Sequence, residues 1–384
     1  MFRRLVTGLA VGLFGLAVSA PLAAEEPPVR IGGFMPVTGP ASFLGDPEKK
    51  TLALYVDRLN EAGGLLGRPL ELVTYDTGGS AAKARTFAKR LISADGVDVV
   101  IGGLTGSTMA VMPLMKRGEM PFISLSGSVA PIEPTRSWIF KTPQTDRMAA
   151  ARVFDDMRRR GIERIGLLSG SGGFGSSGRR QSLAIAETHG IEVVADETYA
   201  PKDTDMSAQL TSIANTEGVQ AIFVFGFGQG PAIVTRNYHQ LGLGLPLYQS
   251  HGVASDKFIE LAGEDAAEGV RLPAPPLLVA DQLPADDPQK TVLMDYKSAY
   301  EGRYGEPAST FGGYAYDALH LYARAVREAG TTERPAVREA LETVSDYVGV
   351  TGLFNLGADD HMGLDRKTAF RMAEIHDGHW RLID

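Results

Sequence analysis

The sequence predicts an α/β protein built as two doubly wound parallel-sheet lobes. Three observations carry this. Strand-like and helix-like segments alternate along the chain, the order that builds a parallel sheet with helices on both faces. The alternation restarts near Thr145. Some 384 residues also exceed what one hydrophobic core usually holds.

The first unit opens with an apolar run, Val29–Phe34, that breaks at the loop residues 35–40. Leu52, Tyr55, Val56 and Leu59 recur at helical spacing, and Gly63-Gly64 closes that helix. Strands are predicted over 70–75, 97–101 and 121–124, and helices over 81–92 and 109–116. In the second unit the spacing predicts helices over 149–159, 181–188, 206–215 and 232–241, and strands over 164–168, 191–195, 221–225 and 246–249. Leu272-Pro273-Ala274-Pro275-Pro276 then forms a stiff connector that cannot continue a helix. Helices are predicted over 291–300, 314–328 and 335–343, with no strands of their own to cover. The tail reads as β, with period-two alternation over 367–375.

Residues 1–24 read as a cleaved export signal. Arg3 and Arg4 precede an apolar stretch over 5–18, and small residues lead to Glu25-Glu26. That stretch is shorter than the roughly 20 residues a spanning helix needs. The chain has no cysteine, so neither a disulfide nor a lipid-modified cysteine is expected. A periplasmic location without an anchor follows as the expectation. Loss of Arg3 and Arg4 takes the formal charge from −8 to −10. An acidic chain without a basic run speaks against nucleic acid and anionic membrane as partners.

Parallel sheets bind ligands beyond the C-terminal ends of their strands. In the first unit those ends run into Thr38–Ser42, Thr105-Gly106-Ser107-Thr108 and Ser126-Gly127-Ser128. Hydroxyls and free helix N–H groups can hold a carboxylate there, or simply cap helices. In the second unit they run into Ser169–Gly178, Gly226-Phe227-Gly228-Gln229-Gly230 and Ser250-His251-Gly252, which are richer in glycine and aromatics. One polar wall facing one aromatic wall suits a small amphipathic solute.

Other motifs are weaker. Residues 170–175 match G-x-G-x-x-G, but an exported chain has little access to nicotinamide cofactors. Ser80-Ala81-Ala82-Lys83 matches S-x-x-K without its companion motifs, and Ser80 reads better as a helix cap. The histidines lack metal-ligand spacing. No cofactor, no metal and no catalysis are expected.

The ordered set of short motifs is more telling. Gly32–Met35 runs into Thr38-Gly39-Pro40, and Gly45-Asp46 and Asn60–Gly64 follow. Ile101-Gly102-Gly103, Pro121–Ser124, Phe174-Gly175, Ala262-Gly263, Ala266–Gly269 and Tyr314–Ala318 complete it. In these residues the chain resembles the periplasmic solute-binding proteins of branched-chain amino acid type, which serve ABC importers. The resemblance implies the type I periplasmic binding fold, with two lobes joined by three hinge crossovers. It implies lobe 1 as 25–144 plus 275–346 and lobe 2 as 145–274 plus 347–384. The implied partners are a small carboxylate-bearing or amino acid-like solute and a membrane permease, with the binding protein itself a monomer. A periplasmic sensor and an exported hydrolase are the alternatives.

The resemblance implies that Thr105, Gly106, Ser107, Ser126 and Ser128 hold the ligand carboxylate. Phe43-Leu44 would cover the ligand from the first loop, and Phe174, Phe227, Gln229 and His251 would line the second lobe. Two departures stand out. His251 occupies the place of the glutamate that pairs with a ligand ammonium in amino acid binders, and Phe174 replaces a tyrosine. The expected ligand is therefore an aromatic or branched aliphatic acid without an amine.

Overall fold

A computed structural model describes residues 1–2, 26–365 and 367–384. The export signal read over 1–24 falls almost entirely outside the described residues. Among the described residues, no helix is long and apolar enough to cross a membrane.

Lobe 1 is a parallel sheet of five strands, β1 (Val29–Met35), β2 (Leu70–Asp76), β3 (Val99–Gly102), β4 (Phe122–Ser124) and β5 (Ile139–Lys141). Their order is β2-β1-β3-β4-β5. Helices α1 (Ser42–Glu61), α2 (Ala81–Ser93) and α3 (Thr105–Arg117) follow β1, β2 and β3. The chain winds outward from β1 in one direction and from β3 in the other. That reversal leaves a crevice at the strand ends between them. The strands are near-continuous apolar runs because helices cover both of their faces.

Lobe 2 carries α4 (Asp146–Arg159), β6 (Arg164–Gly170), α5 (Gly173–Ile185), β7 (Glu192–Tyr199), α6 (Ser207–Ala214), β8 (Ala221–Phe225), α7 (Gln229–Gln240), β9 (Leu247–Gln249), α8 (Asp256–Ala262), α9 (Glu264–Ala267) and β10 (Arg271–Ala274). The order β7-β6-β8-β9-β10 repeats the lobe 1 plan. Chain reversal falls between β6 and β8.

The proline-rich connector is partly a strand. Pro273 lies in β10, opposite Met372 of an antiparallel neighbour, so the sheet runs on across it. After β10 come α10 (Lys290–Tyr304), α11 (Thr310–Ala329) and α12 (Arg334–Leu341), and α11 packs along α1 in lobe 1. A two-strand unit, β11 (Tyr347–Val348) with β12 (Leu353–Phe354), follows. Finally β13 (Arg371–His376) and β14 (His379–Leu382) extend the lobe 2 sheet as an antiparallel hairpin.

Residues 347–365 were expected with lobe 2, yet their hydrogen bonds go to lobe 1. Asp317 on α11 accepts from Val350 N (2.9 Å) and Thr351 N (2.6 Å), and His361 O accepts from Lys141 N (3.1 Å). Only the β13–β14 hairpin returns to lobe 2. The period-two pattern was legible there, whereas backbone docking onto a buried aspartate leaves no sequence period.

The lobes are joined at residues 141–146, 274–276 and around 351–370. The first and third crossovers are tied by one side chain. Gln144, fully buried, donates from Nε2 to Thr351 O (3.0 Å) and Ala369 O (2.8 Å). Gln289 makes a similar bond to Gly349 O (2.9 Å). Removing a buried partner of this kind costs the desolvation of the groups left behind. Gln144→Ala is expected to lower unfolding stability by about 2 kcal/mol; urea denaturation followed by circular dichroism checks it.

Candidate functional site

The strand ends of the two sheets meet across a narrow cavity of ≈ 40 Å³. From lobe 1 its wall takes Leu44 after β1, Leu104 and Thr105 after β3, and Leu125, Ser126 and Gly127 after β4, with Phe311 and Tyr314 from the first turn of α11. From lobe 2 it takes Phe174 after β6, Phe227 after β8, and His251 and Gly252 after β9. Leu44, Leu104, Thr105, Phe174 and Phe227 follow the strands that flank the two reversals, and the turns after β4 and β9 and the start of α11 complete the wall.

The polar part of the lobe 1 wall is a hydroxyl ladder. Thr105 Oγ1 and Ser126 Oγ share a hydrogen bond of 2.9 Å. Behind them Ser124 Oγ pairs with Thr108 Oγ1 (2.8 Å) and accepts from Ser126 N (3.2 Å). Ser126 Oγ in turn accepts from Ser128 N (3.2 Å). Each serine of this ladder thus braces the turn two residues on, which holds the Thr105–Ser126 pair in place.

Helices α3, α5 and α7 all begin at the cleft, and none has a side-chain cap. Helices α2, α4 and α11 are capped by Ser80, Thr145 and Ser309. The hydroxyls around 105–108 are therefore not caps: Ser107 Oγ instead donates to Leu104 O (2.9 Å). Uncapped N-termini present free N–H groups and partial positive charge. Two of them approach each other closely, since a Cβ added to Gly173 of α5 would lie 3.2 Å from the Gly106 N of α3. The lobes also touch at Gly127, where an added Cβ would meet Phe174 at 2.8 Å and His251 Nε2 at 2.9 Å.

His251 is 2% exposed, and neither ring nitrogen has a hydrogen-bond partner among the described residues. Its ring packs edge-on to Phe174 (5.3 Å between centroids) and beside Phe370 (5.3 Å). Burial, with the Lys141 ammonium in support, pushes its pKa down to about 3. The imidazole is neutral at neutral pH and can donate from one nitrogen. Among the described residues no hydroxyl is paired with it. Among the described residues, no group of three acidic or histidine side chains could hold a metal ion.

Of the residues read from sequence, Leu44, Thr105, Ser126, Phe174, Phe227 and His251 line the cavity. The others lie elsewhere. Phe43 packs edge-on against Phe311 (5.5 Å) and lines a separate groove. Gly106 marks the meeting of α3 with α5. Ser107 bonds its own turn, and Ser128 Oγ pairs across the lobes with Ser177 Oγ (2.7 Å). Gln229 is exposed at the start of α7. Sequence reading placed Gly127 and Gly252 in the strand-end loops without singling them out, and it missed Leu104, Leu125, Phe311 and Tyr314. Leu104 and Leu125 are neighbours of residues it did name. Phe311 and Tyr314 sit on a helix read as a sheet cover beginning only at Tyr314, and no pattern in it signals a turn that enters the cleft.

Fold and cleft together define a two-lobed binding protein of the type I periplasmic class. A family model described as periplasmic binding protein matches residues 28–379, and the chain belongs to that family. A leucine-, isoleucine-, valine-, threonine- and alanine-binding protein of Pseudomonas aeruginosa is 26% identical over 360 residues, covering 93% of this chain and 91% of the relative. An extracellular ligand-binding receptor from Rhodopseudomonas palustris superimposes with a TM-score of 0.86 at 26% identity, over 93% of this chain and 100% of its own. A branched-chain amino acid transporter substrate-binding protein of Streptococcus pneumoniae, solved with isoleucine, shares the fold at a TM-score of 0.81 and 23% identity, over 93% and 99% of the two chains.

The buried histidines make a pH prediction. His320 is likewise pushed down to about 4, by burial first. A base with a depressed folded pKa binds its proton first in the unfolded chain. Stability is then full above the unfolded value of 6.5 and falls as pH drops toward 4. Each such histidine adds up to about 1.4 kcal/mol per pH unit to the slope. His251→Phe is expected to flatten the fall of melting temperature between these pH values; an unchanged slope would remove His251 as a contributor.

Proposed function

We propose that this chain is the solute-capturing component of an ABC importer of branched-chain amino acid type. It works in the periplasm as a monomer and delivers its solute to a membrane permease. The solute is a small acid with an aromatic or branched aliphatic body and no amine. One observation supports this most strongly: two uncapped helix N-termini converge on a hydroxyl-lined cavity whose wall contains no carboxylate. Such a site favours an anion. The carboxylate sits against Thr105, Ser126 and the α3 N–H groups, and the neutral His251 donates to it from lobe 2. The apolar body lies among Leu44, Phe174, Phe227 and Phe311, whose side chains move apart to admit it, because ≈ 40 Å³ holds little more than one water.

The rival solute is a zwitterionic amino acid, which the names of several relatives favour. His251 separates the two readings. An alkylammonium shut in without an anionic partner costs several kcal/mol.

Capture works by population shift. A solute that touches both lobes stabilises only the shut state, so its binding energy closes the hinge. In calorimetric titration, 4-methylpentanoate or 3-phenylpropanoate is expected to bind more than about tenfold tighter than leucine or phenylalanine. Sub-micromolar leucine binding would overturn the amine-free reading. His251→Glu supplies the missing anion and is expected to reverse the preference. Gly127→Val places methyl groups against Phe174 and His251, and should weaken binding by about 100-fold or more by blocking closure. Its melting temperature without solute should stay near that of the parent chain, because each lobe keeps its own core.

A further inference from the structure

The cavity has more polar equipment than one carboxylate uses. The Tyr314 hydroxyl is buried without a hydrogen-bond partner, in a residue 4% exposed that lines the wall. Glu48 stands close by on α1, one turn beyond the cavity residue Leu44, and is 2% exposed. Burial pushes its carboxyl pKa well up, and neither a hydrogen bond nor an opposing charge offsets that burial. The Tyr314 hydroxyl is pushed up by burial and, second, by the Glu48 carboxyl beside it. The Tyr314 hydroxyl is protonated at neutral pH, with one O–H to donate and lone pairs to accept, and burial favours the protonated form of the Glu48 carboxyl.

Neither can relax away from the other. Helices α1 and α11 are pressed together at Gly312, where an added Cβ would meet Tyr296 Oη at 2.2 Å, Thr51 Oγ1 at 2.6 Å and Pro47 O at 3.2 Å. Thr142 Oγ1 donates to Tyr314 O (2.8 Å) and pins that residue's backbone to the first crossover. Buried polar groups in folded proteins nearly always have partners. The Tyr314 hydroxyl has none, and on a rigid helix in the wall of a ligand cavity it marks a place where a partner arrives from outside.

We propose that Glu48 and Tyr314 form a second polar subsite, which hydrogen-bonds a neutral hydroxyl group carried by the solute in addition to its carboxylate. This rests on the functional reading above and narrows its solute class to hydroxylated acids with an apolar body. The carboxylate is held by the turns after β3 and β4, and the hydroxyl by α1 and α11. A site built to hydrogen-bond a hydroxyl rejects the analogue that lacks it, because its own buried polar groups are then left unpaired.

The test is calorimetric titration of the full mature chain with 4-hydroxyphenylacetate and phenylacetate. The parent protein is expected to prefer the hydroxylated acid by about tenfold or more. In Tyr314→Phe and in Glu48→Leu that ratio should fall to within about twofold of one, while Glu48→Gln, which keeps a donor and an acceptor, should retain most of it. Thermal melts of each variant confirm that it is folded, and the ratio between two acids on one sample is insensitive to loss of active protein. Equal affinities in the parent, tighter binding of phenylacetate, or a preference that survives both Tyr314→Phe and Glu48→Leu would overturn the subsite and leave the functional reading standing. If neither acid binds and leucine does, the functional reading falls and the subsite falls with it.

Discussion

Two positively polarised helix ends face each other where α3 of lobe 1 meets α5 of lobe 2, at Gly106 and Gly173. Like partial charges at that range repel, and neither end has a side-chain cap to quench it. On the proposed reading an anion between them relieves that repulsion. Other features of the cleft bring the two ends together. The two strand-order reversals aim both helix ends at one point, and glycines at 127 and 173 let the backbones approach. The serine ladder holds the hydroxyl pair steady behind them.

The hinge converts that local electrostatics into motion. The crossovers are fastened by Gln144, Gln289 and Asp317, whose bonds run among hinge strands and lobe 1 elements and not across the cleft. Across the cleft Gly106 meets Gly173, Gly127 meets Phe174 and His251, Ser128 pairs with Ser177, and Thr310 Oγ1 donates to Ala254 O (2.7 Å). Rigid lobes with a tied hinge suit a two-state switch biased by a solute that both lobes touch. His251 sits on the lobe 2 side of that interface, buried and unpartnered. Neutral, it has one ring nitrogen to donate and one to accept, and carries no charge to pair with an ammonium.

Much of this was legible in the sequence, for reasons that differ by element. Strand β8 was read to the residue, because an apolar run bounded by turn residues has few alternatives. Helix α3 was read four residues short: its opening Thr-Gly-Ser-Thr has low helix propensity, and tertiary placement at the strand end overrides that. Strand β5 was not read at all, being only three residues between a proline-rich loop and a crossover. In the cleft, the rule that ligands gather at strand ends found Thr105, Ser126, Phe174, Phe227 and His251, and the family resemblance supplied Leu44. It could not say which neighbour in each turn faces inward. Leu44 lines the cavity while Phe43 turns to Phe311, and Ser126 lines it while Ser128 turns to Ser177. Tyr314 and Glu48 lay beyond that rule, because they come from helix interiors whose burial depends on how α1 and α11 pack.

If an anion without an amine shuts these lobes, the distance between them in solution reports it, measured by pulsed electron spin resonance between one label on each lobe's outer surface. Protein freed of solute should show a long, broad distance distribution. Addition of 4-methylpentanoate should shift it to the short distance of the closed structure, and leucine at the same concentration should leave it long. Closure by leucine with no response to the amine-free acid would contradict the account.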